Sequence, residues 1–600
     1  MKSDVDYVAR RKAAPPSWAL LQRSLIAEMN DAAVRYQDRY TRADGSFVWR
    51  EFWPGIDGSD DGYESYHNWP LFYALGGSDE LHERSRFLWE AVTRQFRDYG
   101  QIYREFDAHY DWMHHGESSI YFYFFGLADP TVARDRARTE RFAGFYTGDD
   151  GEAQNWNPVH KMIRSPLTGS RGPRFENQWD DWSTHRWVLA NYPAPFEDIP
   201  GVTGEVADWT DDRVYAEILN LLNERQMRCD VPLNLTATSL VTHAFLYTGE
   251  EKYRRWVLDY TEAWADRIKA NGGICPDNIG PSGTIGETMG GKWWGGYYGW
   301  RWPHGYNTII QPLLISAMNA QLLTGDSSYL DVPRSQMDRI MDLGREEDGV
   351  FVIPNRYTDD GWKDYRPVKP EYLVQLWYAS RSDRDRRRIE ELPQFSSDWD
   401  TVVPGRGKGD DIHIAPWYRS IRGFNDDYPQ AILAAQWEEV ARRMAVMAHD
   451  DGDPESWDVH HWQEINPVHT EALVQLTCGG PQIIYHGGLL HVALRWFDAG
   501  SGRPGLPSDC SAMVNRIDGD ELRVTIYNQS VSTEATLVGQ GGAFGEHRFS
   551  SVAAPGESDE GPTIARDAHT FSLRLLPSSS VTLDITLDRY RNTPSYRVPV

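Results

Sequence analysis

One turn recurs along this chain, and it constrains the architecture more than any other feature. The segments F-Y-A-L-G-G-S-D-E-L (72–81), F-F-G-L-A-D-P (124–130), F-L-Y-T-G-E-E-K-Y (245–253) and Q-L-L-T-G-D-S-S-Y (321–329) share one layout. Each is an aromatic or apolar helix, a short Gly-acidic turn, then an amphipathic helix. Three of them place Leu81, Tyr253 or Tyr329 four positions after the Gly. A Gly can close one helix in the left-handed conformation, and an acidic residue favours the first turn of the next. After the third turn, Tyr253, Trp256, Tyr260, Trp264 and Ile268 recur every three or four residues, which predicts one buried stripe. Such hairpins must stack on neighbours to bury both faces. At roughly 50–75 residues per unit, residues 16–497 hold about six or seven hairpins, and a closed ring hides every apolar edge.

The rest of the chain fits around this repeat. Trp18, Leu21, Ile26 and Met29 predict a helix over 16–40, and 428–449 reads as the strongest single helix, rich in Ala, Glu and Arg. Helices are also expected at 467–478 and 481–496, split by Gly479, Gly480 and Pro481. Composition changes at 497–507. Beyond it, Leu522, Val524 and Ile526 alternate with polar residues, as do Val581, Leu583, Ile585 and Leu587, so 508–600 reads as a small antiparallel β-sandwich. Its expected role is to brace the helices. In D-G-S-D-D-G (57–62), Asp57, Ser59 and Asp61 resemble the start of a calcium loop. The twelfth position is Asn68 instead of a bidentate Glu, so a plain turn is predicted.

The helical layout resembles the (α/α)-toroid carbohydrate-active enzymes, which include glycoside hydrolases and polysaccharide lyases. The resemblance covers the architecture and carries no complete catalytic signature. It implies a mainly α fold, with an (α/α)-toroid catalytic domain over 1–500 and a C-terminal β-sandwich domain over 508–600.

Composition narrows the partners. Formal charge is −27 over 600 residues, so nucleic acid and anionic membranes are repelled, and an acidic substrate would need local Arg or Lys. The load of 25 Trp, 31 Tyr and 21 Phe exceeds ordinary core needs and suits stacking against sugar faces, so an oligosaccharide is the expected partner. Cys229, Cys275, Cys478 and Cys510 fit neither a disulfide framework nor a zinc site. No apolar run reaches membrane-spanning length, and no secretory h-region is visible, so a cytoplasmic enzyme is expected.

Titratable residues just before an apolar hairpin helix are the candidates for chemistry. The first set is Glu64, Tyr66, His67, Asn68 and Trp69; the second is Asp111, Trp112, His114, His115 and Glu117, followed by the aromatic run that includes Tyr121. Capping and surface solvation are the plain alternative for each. A Gly-interrupted stretch, Trp293–Asn307, supplies Trp293, Trp294, Tyr298, Arg301 and His304 as a stacking platform. The loop 155–175 supplies Arg164 and Arg174, with Lys161 and Arg171, as a clamp for a uronate carboxylate or sulfate. His460, His461, His469 and Glu471 are further candidates. No adjacent His pair shows metal-ligand spacing, and no nucleotide-binding or serine-hydrolase motif is present, so neither metal nor cofactor is expected.

Three readings follow. In a glycoside hydrolase for uronic-acid-containing oligosaccharides, exo-acting and glucuronidase-like, Glu64 and Glu117 form the carboxylate pair, Asp111 stands in reserve, and His67 and His115 orient the proton. In a polysaccharide lyase, His67 or His115 takes a proton, Tyr66 or Tyr121 supplies one, and Asn68 and Arg164 neutralise the uronate. A non-catalytic carbohydrate-binding protein would use the aromatic platforms alone.

Overall fold

The computed structural model describes residues 5–555 and 563–600. The first helices are α1 (Ser17–Tyr40), α2 (Ser59–Glu64), α3 (Trp69–Ala74), α4 (Asp79–Asp98), α5 (Trp112–Ala128) and α6 (Ala133–Thr147). Two classes of helix alternate along the chain. Helices α3, α5, Ala237–Thr248, Tyr306–Thr324 and Pro370–Ser380 are buried on nearly every face, as is the α-to-π segment 471–478. Helices α4, α6, Glu251–Ala270, Asp331–Met341, Asp383–Glu390 and Tyr428–Ala448 keep one face in water. The first class has apolar residues all round and the second a single stripe, which is why one forms the inner layer and the other the outer.

The ring closes at both layers. Helix Tyr428–Ala448 packs along α1, and α1 touches α4. Inside, Asn68 Nδ2 donates to the Val468 carbonyl at 2.7 Å and Trp69 Nε1 to Asn466 Oδ1 at 3.1 Å, joining the last inner segment to the first. On its other side, Tyr378 OH donates to the Gly479 carbonyl at 2.7 Å. This is the (α/α)-toroid expected from the hairpin repeat.

The turns behave as their sequences require at Gly249 and Gly325, both left-handed (φ 68° and 74°), each amide donating to the carbonyl four residues back at 2.7 Å. Gly126 departs from the expectation. It lies inside α5 and does not end it; the Tyr596 ring fills the space where a Cβ would stand. The expected helix at 481–496 is absent. Residues 481–493 run irregularly, and Leu494–Asp498 is a strand. A three-stranded sheet, Arg345–Glu347, Val350–Thr358 and Gly361–Pro367, was not foreseen.

Two five-stranded sheets form the β unit. One runs in the order Tyr7–Ala9, Thr570–Leu575, Ala535–Gly541, Leu494–Asp498, Arg503–Pro504. The other runs Cys510–Asp518, Glu521–Asn528, Ser579–Asp588, Arg548–Ala553, Thr563–Ala568. Leu522, Val524, Ile526, Leu583 and Ile585 are buried as their alternation predicts, and Phe549 meets Phe571 across the two sheets at 4.9 Å. The pairing of Tyr7–Ala9 with Thr570–Leu575 is parallel; the others are antiparallel. Strands from residues 7–9 and 494–504 therefore complete a sandwich otherwise built from 510–588. No helix among the described residues is long and apolar enough to cross a membrane.

Candidate functional site

The stretch read as a plain turn is a buried helix. Gly58 takes φ 135° over the Trp53 ring, a conformation that side chains rarely adopt, and turns the chain inward so that every residue of α2 is buried. Asp60, Asp61 and Glu64 follow the spacing i, i+1, i+4 within α2, which puts Asp60 and Glu64 on one helical face with Asp61 beside them, and Asp57 stands just before the cap. That spacing is the signal a sequence reading can find and did not use.

Opposite stands the start of α5. Asp111 caps it, its Oδ1 accepting from Met113 N at 2.9 Å and His114 N at 3.3 Å. Its Oδ2 lies 2.8 Å from His114 Nδ1, so Asp111 both ends the helix and orients that ring. Glu117, two turns from the cap, accepts from His486 Nε2 at 3.2 Å. The chain around residue 486 reaches Glu117 because Gly116 has no side chain; a Cβ there would run into the His486 carbonyl.

Lys408 lies against the α2 wall. Its ammonium is 3.1 Å from Asp61 Oδ1 and 3.6 Å from Glu64 Oε2, and its side chain keeps 44% of its exposure, which opens this wall to solvent. Asp61 also accepts from Gln463 Nε2 at 2.5 Å and lies 3.5 Å from His460 Nε2. Lys408 and His460 line a cleft of about 510 Å³ with Arg406, Arg443 and His461.

Electrostatics separates the carboxyls. Glu64 has both oxygens buried without a hydrogen-bond partner. Burial, only partly offset by Lys408 and reinforced by Glu117 and Asp61, holds its pKa well above the ordinary 4.5. Burial pushes Glu117 the same way, but the His486 hydrogen bond and the charges of Lys408, His486 and His114 override it and bring it down to about 2. Burial and the neighbouring Asp61 raise Asp60. Asp57 is lowered despite burial, by His185 and His114. His460 rises to about 9 because Asp458 and Asp61 outweigh its burial. The surroundings thus push the two glutamates apart, Glu64 upwards with the charge of Glu117 contributing and Glu117 downwards.

The other expected residues divide by position. Tyr298, at φ 52°, and His304 reach this site: their rings are 5.7 Å apart, and Tyr298 lies 6.3 Å from His114. Burial and the charges of His486 and His114 bring His304 down to about 4, and its Nδ1 has no partner. His115 is wholly buried behind the site, 3.1 Å from Asp107 and 2.9 Å from the Thr168 carbonyl. His67 Nδ1 donates to the Glu64 backbone carbonyl at 3.0 Å, and burial lowers it to about 3. Asn68 ties the ring together, Tyr66 and Trp112 are core rings, and Tyr121 OH donates to the Ser85 carbonyl at 2.5 Å.

Trp293, Trp294 and Arg301 of the expected platform, and the arginines of the expected clamp, make contacts within the protein. Buried Asp277 gathers the amides of Gly295, Gly296 and Trp300 at 2.8–3.0 Å and shapes the loop. Trp293 and Trp294 pack on Tyr357 at 4.6 and 5.0 Å. Arg301 donates to the Ala194 carbonyl at 2.7 Å and pairs with Glu197. Arg174 pairs with Asp181, and Arg164 donates to the Gln154 carbonyl at 3.2 Å. Lys408, His185 and His486 went unnoticed in the sequence; each arrives on a loop remote from α2 and carries no local pattern.

Solved structures similar to this chain include a D-mannose isomerase, 9% identical, covering 72% of this chain and all of that one with a TM-score of 0.35. The GH76A alpha-1,6-mannanase from Salegentibacter sp. HEL1_6 is 10% identical, with 74% and 97% of the chains covered and a TM-score of 0.29. The cellobiose 2-epimerase from Bacillus thermoamylovorans B4167 is 10% identical, with 60% and 100% covered and a TM-score of 0.23. No curated protein matches the sequence. A family model matches residues 7–351 and 344–474, most of the helical ring and the whole of the acidic site on α2 and α5, and the chain therefore belongs to the family described as "Domain of unknown function (DUF8034)".

Proposed function

We propose that the chain is a glycoside hydrolase in which Glu64 is the general acid and Glu117 the ionised partner. The observation that carries this reading is the contrast between two buried carboxyls: Glu64 without a hydrogen-bond partner, Glu117 held by His486. A protonated carboxyl in a dry site can pass its proton to a glycosidic oxygen. An ionised one nearby can either attack the anomeric carbon or draw a proton from water; separations of about 5–5.5 Å favour the first route and about 6.5–9.5 Å the second. Lys408 moderates both, keeping the proton on Glu64 transferable.

The substrate reading shifts with the geometry. The arginines expected to grip a uronate are bound to Glu197, Asp181 and a backbone carbonyl. Lys408, which Asp61 and Glu64 already share, and Arg406 beside it in the cleft are the cations a uronate would meet. A neutral oligosaccharide suits the Asp61 and Glu64 side of the site, and an acidic one the Arg406 side of the cleft.

A second reading has its own observation. His304, lowered to about 4 and with Nδ1 unpartnered beside Tyr298, has the features of a base for abstracting a carbon-bound proton, as in a lyase. The test is incubation with neutral and uronate-containing oligosaccharides. Release of reducing ends without ultraviolet absorbance from an unsaturated uronate is the expected result, abolished in Glu64→Gln and Glu117→Gln with folding intact. Absorbance that rises with product and depends on His304 would establish the lyase instead, and turnover unchanged in both glutamate variants would remove the hydrolase assignment.

A further inference from the structure

We propose that Asp57, Asp60 and His114 form a binding site for a first-row divalent cation of the Mn²⁺ or Zn²⁺ kind. Each of the three offers one ligand atom, and these atoms lie within 4.8 Å of one another. Metal–ligand bonds of about 2.0–2.2 Å hold neighbouring ligand atoms about 3–4 Å apart, so little movement is needed to close on an ion.

The surroundings are built as metal sites are built. Asp111 Oδ2, outside the trio, sits 2.8 Å from His114 Nδ1 and leaves Nε2 as the free ring nitrogen. A carboxylate behind the far nitrogen of a ligating histidine fixes the ring and raises its basicity. The His114 ring is also stacked on Tyr110, centroids 4.3 Å apart. Asp57 is oriented by the Tyr110 hydroxyl and by His185. Asp60 is 1% exposed, and one of its oxygens accepts from Gly58 N at 3.2 Å. Crowded carboxyls of this kind hold either a proton or a cation between them. Two carboxylates with one imidazole favour a transition ion over calcium or magnesium, which prefer oxygen throughout.

The site borders Glu64 and Glu117 without using either, so it stands whether or not the hydrolase assignment holds. The experiment uses the full chain stripped with a chelator and titrated calorimetrically with MnCl₂ or ZnCl₂. One ion per chain is expected, with affinity falling tenfold or more in Asp60→Asn and in His114→Gln. Near-ultraviolet dichroism checks that the variants fold. Electron spin-echo spectroscopy of Mn²⁺ on the unaltered protein gives an independent reading, a nitrogen coupling from His114. Absence of saturable binding of either ion below about 1 mM, which is about −4 kcal/mol, would overturn the proposal. So would unchanged affinity in both variants, or bound Mn²⁺ without nitrogen coupling.

Discussion

At the scale of the residue, the site is a set of carboxyls sorted by what stands next to each. Glu64 and Glu117 are chemically identical, and Lys408 and His486 make them differ. Lys408→Met tests this directly. Loss of a cation disfavours the charged form of every carboxyl near it, so both pKa values rise and the pH–activity profile moves towards alkaline pH. A profile that stays in place would show that Lys408 does not tune the pair. Glu64 also links activity to stability. Its folded pKa lies above the ordinary 4.5, so above that pH the folded chain binds more protons than the unfolded chain, and stability falls as pH rises. Glu64→Gln removes that titration. Urea unfolding at about pH 5 and about pH 8 should give the variant a smaller loss of stability between the two than the unaltered protein shows. Equal losses would place Glu64 in water in solution. Glu64 and Glu117 are legible in sequence because each precedes an apolar run, α3 for Glu64 and the aromatic body of α5 for Glu117. Asp57, Asp60 and Asp61 are hidden there only by an Asp/Gly composition that reads as a turn. Lys408 lies between two glycines, and nothing local distinguishes it from a surface lysine.

At the scale of the element, the hairpin turn is legible because its chemistry is local. Gly249 and Gly325 stop a helix by a backbone conformation, and a buried stripe follows from spacing alone. The failures have non-local causes. Gly126 looks like a stop but admits Tyr596 from the far end of the chain. Residues 481–493 look apolar enough for a helix, yet Gly487 must lie against Gly116 of α5, and the backbone gives up helical form to do so. Gly116→Ala measures that contact. In an open helix the change stabilises by about 0.5–1 kcal/mol. Here the added methyl displaces the His486 carbonyl, so thermal unfolding should show a loss of about 1–3 kcal/mol. Activity should fall further than stability, since His486 moves away from Glu117. A stabilised, fully active variant would mean that the 486 segment yields freely.

At the scale of the whole molecule, the β unit is clamped to the ring at several places rather than appended to it. Gln22 Nε2 donates to the Ala512 carbonyl at 3.1 Å, Ser511 Oγ to the Ala19 carbonyl at 2.9 Å, and Arg495 to the Leu127 carbonyl at 2.7 Å. A further clamp is Tyr596. Its ring fills the notch over Gly126, and its hydroxyl is 2.6 Å from His243 Nδ1 in the third inner helix. Burial keeps His243 neutral, lowering it to about 3, so the hydroxyl and Nδ1 share a single hydrogen bond. Two variants separate the two contributions. Tyr596→Phe leaves the notch filled but strands the His243 nitrogen, a cost of about 1–3 kcal/mol. Tyr596→Ala adds a cavity between two inner helices and should cost about 3–5 kcal/mol. Chemical denaturation followed by tryptophan fluorescence reads both. If the β unit braces the ring, Tyr596→Ala lowers a single cooperative transition for the whole chain, because the notch is shared by both parts. Two separated transitions, with only the minor one displaced, would show instead that ring and sandwich unfold as independent bodies.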